Sequence, residues 1–411
     1  MNWEVKKLSE IATTFEDGNW IESKDQSPNG IRLVQTGNVG KGKFKDRRDK
    51  ARYISEETFK KLRCTEIYQG DILVSRLPDP VGRACILPET REKMITAVDC
   101  TIIRLNQNKV LPKWLLYYTT SDTYQNEIQK RVTGATRQRI SRKNLGLIPV
   151  PVAPLSEQQR IVSILDRAFA AIAKAKANAE QNLQNAAALF ESYLQGVFEN
   201  ENWEENTLKE LTTKIGSGAT PRGGQASYKA EGISLVRSMN VHDSKFREKN
   251  LAFIDEQQAK ELNNVTLQEN DVLLNITGAS IARCCVIPKE YLPARVNQHV
   301  SIIRAKKELL DARFLNLLLT SKPYKDKLLF TGEQGATRQA ITKAQIEAFR
   351  ISIPKLKKQQ TIVRQLDALR AETQKLEAVY QKKIDDLEEL KKSILQKAFS
   401  GQLSESRIMA D

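Results

Sequence analysis

Histidine is nearly absent: His242 and His299 are the only two in 411 residues. That shortage excludes His-rich metal sites and leaves little scope for a histidine general base. Cysteine is sparse as well. Cys64, Cys85, Cys100, Cys284 and Cys285 form an odd set without metal-ligand spacing, and adjacent Cys284 and Cys285 suit neither a simple disulfide nor a zinc knuckle. They read as reduced, mostly buried thiols. No apolar run approaches the roughly 20 residues of a membrane span; the run from Ile148 to Leu155 is broken by Pro149, Pro151 and Pro154. The segment from Met1 to Lys7 lacks the apolar core of a signal peptide, so a cytoplasmic location and no membrane partner are expected.

Catalytic motifs are missing too. There is no Asn-Pro-Pro-aromatic or Asp-Pro-Pro-aromatic tetrapeptide of an amino-methyltransferase; Asp79-Pro80 is followed by Val81. No Gly-x-Gly-x-x-Gly follows a strand, and the glycine-rich stretch from Gly216 to Gly224 has the wrong spacing and reads as a loop carrying Arg222. Residues 37–43 superficially fit a phosphate-binding loop, but Phe44 stands where Ser or Thr would ligate magnesium. Two histidines, neither repeated in the other half, cannot build a Ser/His/Asp or Cys/His set. The chain by itself therefore reads as non-enzymatic, with no cofactor or metal of its own.

What the sequence does have is length, positive charge and a repeat. Its length predicts two or three domains. An apolar fraction of 40% and a charged fraction of 28% are those of a globular chain rather than a disordered one. Lys and Arg number 65 against 50 Asp and Glu, a formal charge of +15 that favours an acidic partner, nucleic acid first.

The chain matches itself at a shift of about 200. Trp3-Glu4 returns as Trp203-Glu204, and Leu8 with Glu10 as Leu208 with Glu210. The run from Ile31 to Val34, followed by Asn38-Val39, returns from Ile233 to Val236, followed by Asn240-Val241. Val81 to Pro88 answers to Ile281 to Pro288, and Gly-Ala-Thr-Arg-Gln occurs at 134–138 and again at 335–339. Gln158-Gln159, Ile161-Val162 and Leu165-Asp166 return as Gln359-Gln360, Ile362-Val363 and Leu366-Asp367. The order is head, helix, head, helix: residues 1–153, 154–198, 199–353 and 354–411. Each head alternates β-rich runs with polar loops and short helices, so a mixed α+β class is expected.

Residues 156–198 and 355–399 read as helices of about 65 Å. The first carries Ile161, Leu165, Ala168, Ile172, Ala175, Ala179, Ala186, Leu189, Tyr193 and Val197; ten alanines between Ala168 and Ala188 favour helix and let another helix approach closely. The second carries Ile362, Leu366, Leu369, Leu376, Val379, Ile384, Leu387, Ile394 and Ala398. These are coiled-coil stripes, expected to pair antiparallel. The positive excess lies mainly in the first head, where residues 1–153 hold 27 basic and 18 acidic groups.

The scaffold recurs while the loops diverge, so two similar frames should read different targets, with the helices fixing their separation. A basic loop of Lys41, Lys43, Lys45, Arg47 and Arg48 suits phosphate or groove contact, or a solvated charge run. In the repeated Gly-Ala-Thr-Arg-Gln, the arginine either clamps a turn or touches DNA.

The repeat layout resembles the specificity subunit of a type I restriction–modification system. The resemblance covers nearly the whole chain and rests also on the Pro-Leu-Ser-Glu-Gln-Gln segment at 154–159, its counterpart at 354–360, and the closing segment from Phe399 to Leu403. One departure is Lys358 where the first repeat has Glu157. It implies a fold of two pseudo-repeated α+β target-recognition domains joined by two long antiparallel coiled-coil helices. It implies partners: double-stranded DNA carrying a bipartite asymmetric site, two methyltransferase subunits, and restriction subunits in the full complex. S-adenosylmethionine, ATP and magnesium would sit on those partners.

For DNA contact the expected residues are Lys24, Gln35, Thr36, Asn38, Lys43, Arg76 and Arg137 in the first head. In the second they are Arg222, Arg237, Ser238, Asn240, Thr277 and Arg338. Arg, Gln and Asn can form paired hydrogen bonds to base edges, while Lys neutralises phosphate. Arg32, Arg83, Arg104, Arg283 and Arg304 read as structural. The rival reading is a coiled-coil adaptor whose basic heads bind acidic proteins; a free-standing methyltransferase or nuclease is disfavoured by the missing motifs.

Overall fold

A computed structural model describes residues 3–134, 137–199, 202–333 and 340–403. The chain forms two compact units, one of residues 1–179 with 382–411 and one of residues 180–381. Each unit therefore holds one head and a part of each long helix, Leu155–Glu199 and Leu356–Phe399.

Unit 1 contains strands β1 (Glu4–Lys7), β2 (Ala12–Asp17), β3 (Ile31–Val34), β4 (Arg52–Ile54), β5 (Glu66–Ile67), β6 (Ile72–Ser75), β7 (Ala84–Ile86), β8 (Met94–Thr96), β9 (Cys100–Leu105) and β10 (Pro149–Val152). One sheet runs β2-β9-β6-β7, all antiparallel; a second runs β4-β3-β8-β5, with β3 and β8 parallel. The apolar run Ile72-Leu73-Val74 is continuous because β6 is buried on both faces. Its alternating side chains divide accordingly: Ile72 and Val74 join the core with Trp114, Leu115 and Tyr118, while Leu73 joins Val34, Met94 and Ile102. Trp114 and Tyr118 lie on helix Pro112–Thr119, which Pro112 opens at its first turn. Trp114 Nε1 donates to the Pro151 carbonyl (2.9 Å) and Tyr118 to that of Pro149 (2.6 Å), tying this helix to β10.

Unit 2 repeats the plan with β11 (Glu204–Thr207), β12 (Thr212–Ser217), β13 (Ile233–Val236), β14 (Val241–His242), β15 (Lys245–Phe246), β16 (Ala252–Ile254), β17 (Val272–Asn275), β18 (Cys284–Val286), β19 (Ala294–Val296), β20 (Val300–Ala305) and β21 (Arg350–Ile353). Its sheets are β12-β20-β17-β18 and β16-β13-β19, with β13 and β19 parallel. Val272 and Leu274 again face one core and Leu273 the other.

The repeated glutamines have a structural reason. Gln158 is fully buried at the start of the first long helix. Its Oε1 accepts from Leu111 N (2.9 Å), and its Nε2 donates to the carbonyls of Lys109 (2.9 Å) and Ala153 (2.8 Å). Gln359 makes the same three bonds to Asp311 N, Leu309 O and Pro354 O. The repeated aspartates add a second joint: Asp166 receives Lys113 Nζ and Asp367 receives Arg313, both at 2.7 Å. Glu157 holds Arg160 at 2.8 Å, a bond that Lys358 cannot reproduce in the second repeat. Replacing Gln158 by Ala strands three backbone groups, that of Ala153 buried, and is expected to cost about 3 kcal/mol of unit 1 stability. Urea denaturation followed at the head would test this, and a loss under about 1 kcal/mol would show the joint to be dispensable.

Within unit 1 the start of the first long helix meets the end of the second. Ile161 and Leu165 share a core with Leu395 and Ala398, Lys176 pairs with Glu388, and Arg160 donates to the Leu403 carbonyl. Numbers rise on one helix as they fall on the other, so the pair is antiparallel. In unit 2 Phe190, Leu194 and Phe198 pack with Ile362, Val363 and Leu366, and Arg370 lies 4.5 Å from the Phe190 ring centroid.

The predicted stripe of the first helix holds at its start and then loses phase, and that of the second holds at both ends, through Ile362 and Leu366 and through Ile394 and Ala398, but lapses between. Leu189 and Tyr193 are exposed, while Phe190, Leu194 and Phe198 are buried instead. On the second helix Leu376 and Val379 are exposed and Thr373 is buried. The cause on the first helix is a run of four-residue steps after Ala186, which turns its buried face by one position. Phe198 enters the aromatic group of Trp203 and Phe314, which fixes that phase. Among the described residues no helix is long and apolar enough to cross a membrane.

Candidate nucleic-acid interface

In unit 1 five segments meet beyond the C-terminal ends of parallel β3 and β8. The Ala97 N–H donates to the Val34 carbonyl (2.9 Å), and Asn19 bridges Ala97, so the segments after Val34, after Thr96 and after Asp17 leave the sheet together. The loop after β6 joins them through Arg76 N and the Asp99 carbonyl (2.9 Å). Ile140 N donates to the Arg76 carbonyl (3.2 Å), which brings in the turn between Thr133 and Arg139. Unit 2 builds the same junction: Asn297 N to Val236 O (3.1 Å), Ile276 N to His299 O (3.0 Å) and Ile341 N to Ile276 O (2.9 Å). Loops gathered at one sheet end by a rigid frame are free to vary without disturbing the core.

The expected contact residues divide by location. Lys24 and Lys43 are exposed, but Lys24 already pairs with Glu22 at 2.7 Å, a bond that raises its pKa. Gln35 and Thr36 are half-buried at the end of β3, with the Gln35 side chain lining an open depression. Arg137 is exposed on the turn before Ile140, and Arg222 is exposed on the loop after β12. Arg237 is half-buried over the Tyr228 ring and donates to the Asn250 carbonyl at 2.5 Å. Ser238 is half-buried. Thr277 Oγ1 bonds His299 Nδ1 at 2.6 Å, and Gln298 sits beside His299 with Nε2 to Nε2 at 3.1 Å. Arg338 lies outside the described residues.

Three of the expected residues are built into the frame. Asn38 is buried; its Oδ1 accepts from Gln35 N (2.9 Å) and its Nδ2 donates to Lys45 O (2.9 Å). Asn240 makes the matching bonds, to Arg237 N (3.0 Å) and Arg247 O (2.9 Å). Each asparagine closes its loop like a local turn. Arg76 is 4% exposed and gives its guanidinium to Val98 O (2.7 Å), Ile140 O (3.3 Å) and Asp17 (3.2 Å).

Of the arginines read as structural, Arg32 is buried against Asp46 (2.5 Å) and Glu92 (3.5 Å). Arg104 and Arg304 form two-pronged bonds with Asp71 and Asp271. Arg83 donates to the carbonyls of Val39 (2.7 Å), Thr36 (2.8 Å), Leu77 (2.9 Å), Pro80 (3.1 Å) and Pro78, clamping two loops together. Burial pulls its pKa below the usual guanidinium value. Arg283 is half-buried, and the clamp in unit 2 belongs to another residue: Asn275 Nδ2 donates to the equivalent carbonyls of Ser238 (2.9 Å) and Val241 (3.4 Å).

The same edge carries residues that the sequence reading passed over. Trp20, on the loop after β2, is 69% exposed. Gln298 and His299 stand beside Thr277, with Gln298 also bonded by Thr220 Oγ1. An aromatic residue in an otherwise polar loop was the available signal for Trp20. Nothing local marked Gln298 and His299, since their place depends on the fold of β17 and β20. Residues 37–43 close as the turn of a bridge between Val39 and Phe44.

All five cysteines are free and buried, and burial pushes the Cys85, Cys100 and Cys285 thiols up to about 12. Among the described residues no group of three His, Cys, Asp or Glu is placed to hold a metal.

Two copies of one α+β frame, each with its own loop edge and each packed on two long helices, define a two-headed recognition protein. A family model described as type I restriction modification DNA specificity domain matches residues 1–182 and again 200–387. The chain belongs to this family of type I restriction–modification specificity subunits, and it is the non-catalytic component of such systems. It is 22% identical to the putative type I restriction enzyme MjaX specificity subunit of Methanocaldococcus jannaschii, over 98% of this chain and 94% of that protein. It is also 22% identical to the type I restriction enzyme EcoKI specificity subunit of Escherichia coli strain K12, over 98% of this chain and 89% of that one. The fold matches the crystal structure of the HsdS subunit from Thermoanaerobacter tengcongensis with a TM-score of 0.64 at 17% identity, covering 98% of this chain and 97% of that one. A chain from a study of complex assembly and conformational transition of the type I R-M system matches with a TM-score of 0.76 at 18% identity, covering 97% of each.

Proposed function

We propose that the two heads read the two unequal parts of one bipartite, asymmetric DNA site. The long helices set the distance between the parts and carry two methyltransferase subunits, which restriction subunits join in the full complex. The observation that carries this reading is the same junction closed by different residues. Where unit 1 presents Trp20, Gly37 and Pro78 to Pro80, unit 2 presents Thr220, Met239 and Gly278 to Ser280, on one conserved pattern of strand pairing. A shared frame with divergent edges is what two different base sequences require, because direct readout depends on which side chains reach the groove. Contacts are expected from Lys24, Gln35, Thr36, Lys43, Arg137, Arg222, Arg237, Ser238, Thr277 and Arg338. Asn38, Asn240 and Arg76 would act by holding those loops in shape. The exposed Leu189 and Tyr193, one turn apart on the first long helix, with Leu376 and Val379 on the second, support a covering partner subunit.

The test is a head exchange. Residues 1–153 are replaced by the matching head of another family member, and methylated adenines are mapped across the host genome. One part of the methylated site should change and the other should stay. If both parts changed, or neither, the modular reading would be wrong. If the full-length chain showed no salt-sensitive DNA binding, the rival reading as an adaptor for acidic proteins would replace it.

A further inference from the structure

An open depression of about 480 Å³ lies at the end of β3 in unit 1. Gln35, Gly37, Asn38, Arg47, Lys50 and Arg52 line it, and no carboxylate does. Among the described residues the side chains of Arg47, Lys50 and Arg52 make no hydrogen bond or ion pair. Their neighbours behave oppositely: Arg48 is bound to Asp46 (3.0 Å) and Glu92 (2.7 Å), and Arg32 to the same two carboxylates. Asp49 is exposed on the same turn but does not line the depression. Gly37 leaves room for the Arg47 guanidinium, which a Cβ at that position would push aside. Three cations held without a partner around one concavity are repulsive among themselves, and an anion is what relieves that repulsion.

Unit 2 keeps only part of this set: the count that matches Val39 with Val241 puts Lys249 where Arg47 stands, but the other two cations are lost. Strand register equates Arg52 with Ala252 and, two residues earlier, Lys50 with Asn250. Counting on from the matched Val39 and Val241 puts Asp243 where Lys41 stands and Met239 where Gly37 stands. Asp243 is moreover paired with Lys325. Arg237, which stands where Gln35 does, donates to the Asn250 carbonyl.

We infer that Arg47, Lys50 and Arg52 form a clamp for DNA backbone phosphate, and that this sequence-independent grip is concentrated in the first head. The inference rests on the proposed DNA reading and adds a division of labour to it. The first head supplies much of the electrostatic affinity, while the second depends more on contacts to base edges. Phosphate neutralisation releases counterions, so each such contact steepens the fall of affinity with salt by about 0.9 in log–log slope.

The experiment measures binding of the full-length chain to two duplexes, one holding its own site and one unrelated, over a salt series. In the triple variant R47A/K50N/R52A the slope should fall by about 2–3 on both duplexes. Over roughly 50 to 200 mM salt, the gap between wild type and variant should then shrink by about 40-fold. The single variant K249A, at the nearest basic position in unit 2, should lower the slope by about 1 or less. An unchanged slope in a triple variant with native circular dichroism would overturn the clamp. So would a loss confined to the chain's own site, or a K249A effect as large as the triple. Displacement of DNA by millimolar inorganic phosphate at constant ionic strength would assign the depression to a free anion instead. Wild-type chain that binds neither duplex would sink the DNA reading itself, a result distinct from any of these.

Discussion

Replacing Asp271 by Ala is expected to remove about 3–5 kcal/mol from unit 2. Asp271 is fully buried, and both its oxygens accept from Arg304 at 2.7 Å; Oδ2 also accepts from Gln268 N at 2.7 Å. Truncation leaves a guanidinium that is only 21% exposed without its counter-charge, and leaves one backbone N–H without its acceptor. The matching change at Asp71 should cost less. Arg104 is 35% exposed, so water takes over part of the lost interaction. Hydrogen exchange separates the two. D271A should lose protection in β17 and β20 while β6 and β9 stay protected, and D71A should do the reverse to a smaller degree. Equal losses in both units from either variant would contradict the independent frames.

The second large effect concerns Arg83. R83A leaves the carbonyls of Thr36 and Val39, and three more in the loop from Leu77 to Pro80, without their donor. The expected cost is about 3 kcal/mol, since five acceptors, that of Val39 buried, lose a charge-assisted bond at once. Unit 2 shows how the loss can be repaired. Asn275, at the position equivalent to Ser75, reaches the same two carbonyls of the first loop. S75N placed on R83A should therefore recover about 1 kcal/mol, whereas S75N alone should destabilise by crowding a fully buried site already occupied by arginine. A double-mutant cycle reads the coupling directly, and additive effects would count against the shared-carbonyl explanation.

These two sites also mark how far sequence reasoning reaches. The repeat, the two long helices, the α+β heads and the structural character of Arg32, Arg83, Arg104 and Arg304 were legible from residues alone. The repetition of Gln158 as Gln359 was visible too, within the short motif that opens both long helices. The bonds those glutamines make were not legible, since two of the three partners of each lie about fifty residues away. The stripe of the first helix was legible at its start and drifted later, while that of the second was legible at both ends. A seven-residue pattern cannot say where a run of four-residue steps will turn the buried face, and Phe190 and Phe198 settled that by entering an existing aromatic core.

The assignment of polar residues in the loops shows the same division. Asn38, Asn240 and Arg76 have the chemistry of base readers, yet each spends its hydrogen bonds on its own frame. Arg47 belongs to a basic loop already suited to phosphate or groove contact, whereas Lys50 and Arg52 join it around one depression only in the folded head. The order of residues alone determined that this chain is a duplicated, basic, two-headed protein on long helices, because repetition and periodicity are properties of the linear string. Only the tertiary structure decided which of its polar groups are consumed internally and which stay free, because a carbonyl's bonding partner is set by loops that meet in space from distant parts of the chain.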